Sequence, residues 1–391
     1  MADGNAAYPK PSRRSKVEPF HAMDVLAKAT RMRNAGVDVA MLCVGQPSAP
    51  APKAALVAAR LAVDDGRIGY SDALGRRELR ERLARHYAEI YGVAVSADRI
   101  AITTGSSAGF QLAFLACFDI GARVAIAAPG YPAYRNILGA LGLEVVEIET
   151  HAADGHALTP AMLDAAGPLD GLLVASPANP TGTMLKPDDL AALVRHCDAH
   201  GIRFISDEIY HGLVYPEAGA PEQATALAYG DETIVINSFS KYYCMTGWRI
   251  GWMVLPEALV RPVERLAQSL YICAPDLSQR AAVAALDESR EMERHREGYL
   301  ANRAMLTDAL PALGMVDIAP MDGAFYAYAD VSKLTDDSDV LARRLLEEAH
   351  VAVTPGRDFD PLRGKMAMRL SYAGVADELS AALDRMRKVL G

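Results

Sequence analysis

The chain has 391 residues, of which 51% are apolar and 23% are charged, and its formal net charge is −9. Because one hydrophobic core rarely organises more than about 250–300 residues, we expect a large domain and a smaller one. The negative charge and a pI near 5.5 argue against general affinity for nucleic acid or for anionic membranes.

Along the chain, short β-rich runs alternate with helical stretches. After a polar N-terminal arm at residues 1–16, strands are predicted at 100–103, 124–128, 145–148, 172–176, 204–206, 233–236 and 250–255. Helical spacing of apolar residues between them, as in 107–117 and 187–200, predicts the covering helices. This alternation predicts an α/β fold whose mostly parallel sheet is covered by helices on both faces.

The pattern changes after about residue 290. A long charged helix is predicted at 291–310, followed by strands at 325–330 and 366–371 with helices between and after them. These elements indicate a smaller α+β domain. We predict an N-terminal arm and part of the small domain over residues 1–48, a large domain over 49–289 and a small C-terminal domain over 290–391. The junction is predicted to be a continuous helix.

The cysteines, the histidines and the start of the chain bear on location and on metals. The five cysteines are scattered without a Cys-x-x-Cys pair and are expected to be reduced thiols. The nine histidines are not expected to form a His-x-x-x-His or His-Glu-x-x-His pair, so no metal site is expected. No apolar run has the length of a membrane span, and no secretory signal is apparent, so a cytoplasmic location is expected.

Small residues follow the first predicted strand. Ligands in open α/β sheets bind at the carboxyl ends of strands, so residues at these positions are informative. Gly105, Ser106 and Ser107 form a turn into a helix, where free backbone N–H groups and the helix dipole favour a phosphate. An ordinary serine N-cap is the alternative interpretation of this segment.

Two further strand ends carry an aromatic ring and an amide. Tyr131 follows the strand at 124–128, where its ring can lie against a planar heterocycle. Asn179 follows the strand at 172–176 and opens an Asn-Pro-Thr-Gly turn that presents its amide. Taken singly, a packed tyrosine and a simple turn also explain these residues.

Asp207 and Tyr210 lie at the end of the strand at 204–206. Asp207 directly follows apolar residues, so we expect a partly buried carboxylate that needs a cationic partner. A protonated pyridine nitrogen is such a partner, and its ring then acts as an electron sink for a carbanion at a substrate α-carbon. Tyr210 can bond the phenolic oxygen of that ring. A helix N-cap or a salt bridge is the alternative for Asp207.

Lys241 lies after the next strand, close to Ser238, Ser240 and Arg249. A lysine amine condenses with a carbonyl only when part of its population is neutral, so burial and nearby cations must lower its pKa from about 10.4. Arg249 can be such a cation, and its guanidinium also matches a phosphate, with the serine hydroxyls as further donors. This set suits a phosphorylated aldehyde cofactor, and a solvated loop lysine is the alternative.

Together these residues resemble the fold-type I, aspartate-aminotransferase-like family of pyridoxal phosphate enzymes, over about residues 20–390. The most specific motifs are the Ser-Phe-Ser-Lys run ending at Lys241 and the Gly-Trp-Arg run ending at Arg249. The Asn-Pro-Thr-Gly run at Asn179 and the Asp-Glu-Ile-Tyr run at Asp207 support them. The resemblance implies the PLP-transferase fold type I and pyridoxal 5′-phosphate as cofactor. It also implies an aminotransferase that moves an amino group from an amino acid to a 2-oxo acid by ping-pong transfer.

The resemblance also implies roles for individual residues. Lys241 would form the Schiff base with the cofactor and move the substrate proton, and Asp207 and Tyr210 would share catalysis. The implied cofactor-binding residues are Gly105, Ser106, Ser107, Tyr131, Asn179, Asp207, Tyr210, Ser238, Ser240, Lys241, Arg249 and Tyr70. Tyr70 would reach the phosphate of a neighbouring subunit, which implies a homodimer with shared active sites. The implied substrate-binding residues are Gly45, Asn179 and Arg369, and Arg369 would hold the α-carboxylate.

Apolar or aromatic amino acids are the favoured substrates. The segment at 17–23, which enters the site in this family, lacks the Ser/Thr-rich stretch of many relatives. No obvious cation is placed for a second carboxylate. Family members line the side-chain pocket at the positions of Tyr271, Ile272 and Phe325.

Two alternatives stay open. A carbon–sulfur β-lyase on the same scaffold needs the same carbanion, so these residues do not separate it from an aminotransferase. A ligand-sensing module of a transcription regulator is disfavoured, because only about sixteen residues precede the shared region and a basic DNA-binding domain is expected there.

Overall fold

The structure, a computed structural model, describes residues 10–391, so residues 1–9 of the predicted arm lie outside the described residues. Its strands are β1 (Ala40–Met41), β2 (Ile100–Thr103), β3 (Arg123–Ala128), β4 (Glu144–Glu149), β5 (Gly171–Ala175), β6 (Arg203–Asp207), β7 (Ile234–Ser238), β8 (Gly251–Val254), β9 (Tyr326–Asp330), β10 (Val351–Ala352), β11 (Thr354–Pro355) and β12 (Ala367–Ser371). Its α-helices are α1 (His21–Asn34), α2 (Lys53–Asp65), α3 (Arg77–Tyr91), α4 (Ser106–Cys117), α5 (Pro132–Leu141), α6 (Pro160–Ala165), α7 (Pro187–His200), α8 (Glu257–Leu270), α9 (Asp276–Ala285), α10 (Ser289–Ala312), α11 (Ser338–Glu348) and α12 (Ala376–Leu390). Within residues 10–391, none of these helices has both the length and the apolar character needed to cross a membrane.

A seven-stranded sheet organises the larger part of the fold, in the order β2-β8-β7-β6-β5-β3-β4. Strand β8 runs antiparallel to its neighbours β2 and β7, and the remaining neighbours pair in parallel. Each of the seven strands predicted from the sequence overlaps one of these strands. The predicted mostly parallel sheet is therefore confirmed.

Alternating side chains explain why helices cover both faces of this sheet. In β5, Leu172 and Val174 belong to an apolar cluster that includes Leu190 of α7. Leu173 between them belongs to a second cluster that includes Phe110 of α4. All of these side chains are buried. A strand with both faces buried requires helices on both sides, which confirms the predicted α/β class.

A second sheet organises the C-terminal part. It is antiparallel, in the order β11-β12-β9, and β1 pairs in parallel with β10 beside it. A further apolar cluster joins these strands to the last helices through Leu306 of α10, Leu345 of α11 and Leu383 of α12. The pairing of β1 with β10 places residues near 40 with the C-terminal part. This placement supports the division at residues 48 and 289, which stays a prediction.

The prediction of a continuous helix at the junction is wrong. Helix α9 ends at Ala285 and α10 begins at Ser289. Arg82 of α3 donates from Nη2 to the Leu286 carbonyl at 2.9 Å and from Nε to Asp287 Oδ1 at 2.8 Å. Because this guanidinium binds both a backbone and a side-chain oxygen in the gap, it stabilises a turn there. Only the folded chain brings residue 82 to this position.

Candidate active site

A cavity of about 320 Å³ lies where the carboxyl ends of the parallel strands face the C-terminal part of the fold. Its volume falls in the range of about 300–1,000 Å³ that is typical of small-molecule sites. Residues that follow β2, β3, β5, β6 and β7 contribute to its wall, together with residues of α1, β9 and β12. The predicted site residues on this wall are Gly45, Ser106, Ser107, Tyr131, Asn179, Asp207, Tyr210, Ser240, Lys241, Arg249 and Arg369.

Three predicted cofactor residues are not on the wall. Ser238 lies behind Ser240: its hydroxyl oxygen is 2.8 Å from Ser240 Oγ and accepts the Ser240 backbone N–H at 3.1 Å. Tyr70 is 83% exposed and lies outside the cavity of this chain. Its contact with a neighbouring subunit stays a prediction. Gly105 is the N-cap residue of α4 and has no side chain with which to line the wall.

The start of α4 has the features that favour an anion. The N-cap residue Gly105 has no side chain that could accept a hydrogen bond from the first backbone N–H groups of the helix. These groups can therefore donate to another acceptor, such as an anion. Gly105 has a φ of +80°, and a Cβ atom added to it would lie 2.4 Å from Arg249 Nη2. The absent side chain therefore lets the guanidinium approach the helix start, beside the hydroxyls of Ser106 and Ser107.

The amine of Lys241 is held in the cavity and is partly neutral near physiological pH. Its Nζ donates to the Gly45 carbonyl oxygen at 2.5 Å and lies 5.8 Å from the centroid of the Tyr210 ring. Burial, with added repulsion from Arg369 and Arg249, lowers the pKa of Lys241 to about 8. The sequence predicted a lowered pKa and the contribution of Arg249. A neutral amine is what nucleophilic attack on a carbonyl requires.

Asp207 presents a buried carboxylate to the same cavity, with 3% of the residue exposed. Tyr134 donates its hydroxyl to Oδ2, and the Ile209 backbone N–H donates to Oδ1 at 3.0 Å. Burial raises the pKa of Asp207 to about 6, and the two hydrogen bonds oppose that shift. A nearby cation would favour the ionised form. Tyr134 was not predicted, although it lies three residues after Tyr131 at a spacing that shares a helix face.

Arg369 is fixed between two aromatic rings. Its guanidinium carbon lies 4.5 Å from the centroid of the Tyr326 ring and 4.7 Å from that of Phe359. Nη1 donates to Asn179 Oδ1 at 3.0 Å, and Nη2 donates to the Cys43 carbonyl oxygen at 2.8 Å. Stacking and hydrogen bonds hold the planar group in one orientation, which is the preorganised state for binding a carboxylate.

Tyr326 is a site residue that the sequence did not reveal. Its hydroxyl lies 2.8 Å from that of Tyr210, and a Cβ atom added to Gly45 would lie 2.0 Å from it. Gly45 is therefore needed because the tyrosine passes directly against its backbone. The sequence favoured the neighbouring Phe325, which is fully buried and packs against the Tyr210 ring. Phe325 lies in the turn just before β9, and Tyr326 is the first residue of that strand, so placing the strand start one residue too early selects the wrong side chain.

The apolar wall of the cavity comes from the N-terminal segment. The residues expected to line the side-chain pocket are absent from the wall of this chain's cavity: Tyr271, Ile272 and Phe325. Phe20, Met23 and Leu26 are on it instead. Asp358 fixes this segment, because its carboxylate accepts the first backbone N–H groups of α1, those of residues 21 and 22, at 2.8 and 2.7 Å. Segment 17–23 thus reaches the site, as the resemblance implied.

Nearly the whole chain is similar in sequence to known proteins. Residues 37–386 match the model of the family "Aminotransferase class I and II". The chain belongs to this family. It is 49% identical to the valine–pyruvate aminotransferase of Mycobacterium tuberculosis, over 95% of this chain and 96% of that protein. It is 34% identical to the aspartate/prephenate aminotransferase of Thermus thermophilus, over 96% of this chain and 97% of that protein.

The solved structures agree with the sequence relatives. A crystal structure of an aminotransferase from Mycobacterium tuberculosis superposes with a TM-score of 0.95 at 47% identity, covering 98% of this chain and 99% of that one. The predicted fold-type I architecture is confirmed, and the protein is an aminotransferase. The relatives offer no support for the carbon–sulfur β-lyase alternative.

One prediction about the histidines is wrong. His196 and His200 lie four residues apart on α7, the paired spacing that the sequence was taken to lack. Asp164 of α6 stands next to them. None of these three residues is on the cavity wall, so they do not belong to the candidate active site.

Proposed function

We propose that this aminotransferase binds pyridoxal 5′-phosphate covalently at Lys241 and transfers the amino group of an apolar L-amino acid to a 2-oxo acid in two half-reactions. One observation carries this proposal: the amine of Lys241, the buried carboxylate of Asp207 and the fixed guanidinium of Arg369 line the same cavity. If these three side chains lined separate cavities, they could not act on one cofactor and one substrate.

The residues of the cavity fit the proposed cofactor. Its phosphate would fit the uncapped start of α4 together with Arg249. Its ring nitrogen, when protonated, would pair with the buried carboxylate of Asp207 and favour the ionised form of that carboxylate. The Asn179 side chain uses Oδ1 for Arg369, so its NH₂ group is free to donate to the ring oxygen together with Tyr210. Tyr131 would stack on the ring. When bound, the cofactor supplies an electron sink for the carbanion at the substrate α-carbon.

Lys241 and Arg369 would share the work on the substrate. Arg369 binds the α-carboxylate and thereby fixes which substituent of the α-carbon points toward Lys241. Lys241 would take the proton from the α-carbon as a general base and deliver it to the C4′ carbon of the cofactor as a general acid. Its pKa of about 8 is close to the working pH, which suits both roles.

The cavity favours an apolar donor. Phe20, Met23 and Leu26 supply apolar surface. Among the described residues on the wall, the lysines and arginines are Lys241, Arg249 and Arg369, and each already has a proposed partner. A second substrate carboxylate would lack a cation in this chain. The 49% identity to a valine–pyruvate aminotransferase supports valine or a similar amino acid as donor and pyruvate as acceptor.

The assembly and location are also proposals. A homodimer is supported by the exposed side chain of Tyr70, which the family resemblance assigns to the phosphate of the neighbouring subunit. A cytoplasmic location is supported by the cysteines, all five of which are free thiols within residues 10–391.

A half-reaction experiment tests the proposal. The cofactor-loaded protein is mixed separately with L-valine, L-phenylalanine and L-aspartate without any oxo acid, and the absorbance of the bound cofactor is followed. Valine should convert the cofactor to its amine form faster than aspartate does, without release of ammonia, and pyruvate should then restore the starting spectrum. Ammonia release, or preference for aspartate, would count against transfer from an apolar donor.

A further inference from the structure

We propose that Asp164, His196 and His200 form a binding site for a divalent transition-metal ion such as Zn²⁺, located between α6 and α7 and separate from the active-site cavity. One ligand atom from each residue lies within 4.8 Å of the others. Two imidazoles and one carboxylate form a ligand set that zinc and its neighbours in the first transition series prefer.

The helix geometry brings the two imidazoles together. Residues four apart on a helix share one face, which is the arrangement that zinc-binding helices use. The rings of His196 and His200 are stacked, with centroids 4.1 Å apart and planes inclined by 28°. Asp164 approaches from the neighbouring helix, with its Oδ1 3.4 Å from His196 Nε2.

These separations are close to those of a metal centre. Bonds of about 2.0–2.1 Å in a tetrahedral arrangement place ligand atoms roughly 3.3–3.5 Å apart. The pair of Asp164 and His196 already meets this requirement at 3.4 Å. The ligand atom of His200 lies within 4.8 Å of the other two, and because His200 is exposed, a small shift of its ring can close the remaining distance without disturbing the core.

A hydrogen bond prepares His200 for this role. Its Nδ1 lies 2.8 Å from the backbone carbonyl oxygen of His196, so Nδ1–H donates to that oxygen and Nε2 carries the lone pair. Metal-binding histidines usually fix their second nitrogen in this way. The side chain of His196 is only 12% exposed and is therefore held in place by packing.

The neighbouring thiol is not part of the site. Cys197 follows His196 in the sequence, but it is fully buried within the core cluster beneath α7. Its sulfur is not among the ligand atoms that lie within 4.8 Å of one another. The proposed site therefore consists of the two imidazoles, the carboxylate and solvent, and it would join the short helix α6 to α7.

Calorimetric titration of the cofactor-loaded protein with ZnCl₂, after chelator treatment and in a buffer that does not bind zinc, tests the proposal. Wild type should bind one ion per chain. Since loss of a supporting residue already weakens metal affinity about 10–100-fold, His200→Gln and Asp164→Asn should each weaken it at least about tenfold. The matched control is His151→Gln, which removes an exposed histidine that also lies beside a carboxylate, Glu149, at 3.6 Å.

The control variant should bind zinc as wild type does, and all three variants should keep wild-type transamination because their residues are not on the cavity wall. Thermal unfolding gives a second measurement: zinc should raise the unfolding temperature of wild type and of the control by more than that of His200→Gln at the same zinc concentration. Absence of zinc binding by wild type would overturn the proposal, and so would equal affinity in wild type, His200→Gln and Asp164→Asn.

Discussion

Replacing Arg369 by alanine should remove recognition of the substrate α-carboxylate. The wild-type guanidinium is held by Asn179 and the Cys43 carbonyl and stacks between two rings, so it reaches the substrate already oriented. Truncating one partner of a buried, hydrogen-bonded charge pair costs about 2–5 kcal/mol. With a tenfold change per 1.36 kcal/mol, kcat/KM for L-valine should fall about 30- to 5,000-fold.

A substrate without the carboxylate separates recognition from structural damage. Isobutylamine has the side chain of valine but no carboxylate, so its slow reaction in wild type gains nothing from Arg369. The rate with isobutylamine should therefore be nearly equal in wild type and Arg369→Ala. Arg369→Lys keeps the charge but loses the two-pronged donor geometry, so its loss with valine should be intermediate.

The assay is rapid mixing with the cofactor-loaded proteins, following the absorbance of the bound cofactor, after circular dichroism has shown that each variant is folded. Equal losses with valine and with isobutylamine would mean that Arg369 serves only to order the site. Unchanged rates with valine would remove Arg369 from substrate binding altogether.

Three further predictions concern the cofactor site and its surroundings. Lys241→Ala should lose the visible absorbance of the covalently bound cofactor after dialysis, and retention of that band would contradict the role of Lys241. Gly105→Ala should weaken cofactor affinity by about 1–3 kcal/mol, because the new methyl group displaces Arg249. The control Gly247→Ala, where an added Cβ meets nothing within 4 Å, should leave the affinity unchanged. Fluorescence titration with the cofactor compares the two variants. Burial raises the pKa of Glu208 from 4.5 to about 8, so the folded protein keeps a proton that the unfolded chain releases between these values. The stability of wild type should therefore fall more steeply than that of Glu208→Gln as the pH rises from 5 to 8. Urea midpoints that change by the same amount in both proteins between these pH values would refute this.

Much of the fold and the site could be predicted because the relevant signals are local. Runs of three to six mostly apolar residues mark the strands, most of which are buried on both faces, so β2 to β8 were found within two residues of their ends. Parallel strands bring their carboxyl ends to one edge of the sheet, so Ser106, Asn179, Asp207 and Lys241 were expected to meet. The structure does bring these residues to one cavity.

The features that were missed depend on contacts between distant segments. Arg82 stabilises the break before α10 from more than 200 positions away in the chain. Asp358 fixes the start of α1, which brings Phe20 into the cavity, from more than 300 positions away. The choice of Tyr326 over Phe325 depends on where the preceding turn ends and β9 begins, and the apolar pattern of the sequence alone does not determine that. The paired histidines are different, because their spacing was visible in the sequence and was overlooked.

Peptide mapping after borohydride reduction tests the central claim most directly. Reduction fixes the bond between the cofactor and the amine that carries it, and a modified lysine resists trypsin. If Lys241 carries the cofactor, mass spectrometry should find the cofactor mass on a peptide spanning residues 204–249, because cleavage after Lys241 is blocked and the next basic residue is Arg249. The cofactor mass on a peptide with a different lysine, or full cleavage after Lys241 in reduced protein that retains the cofactor, would contradict the account.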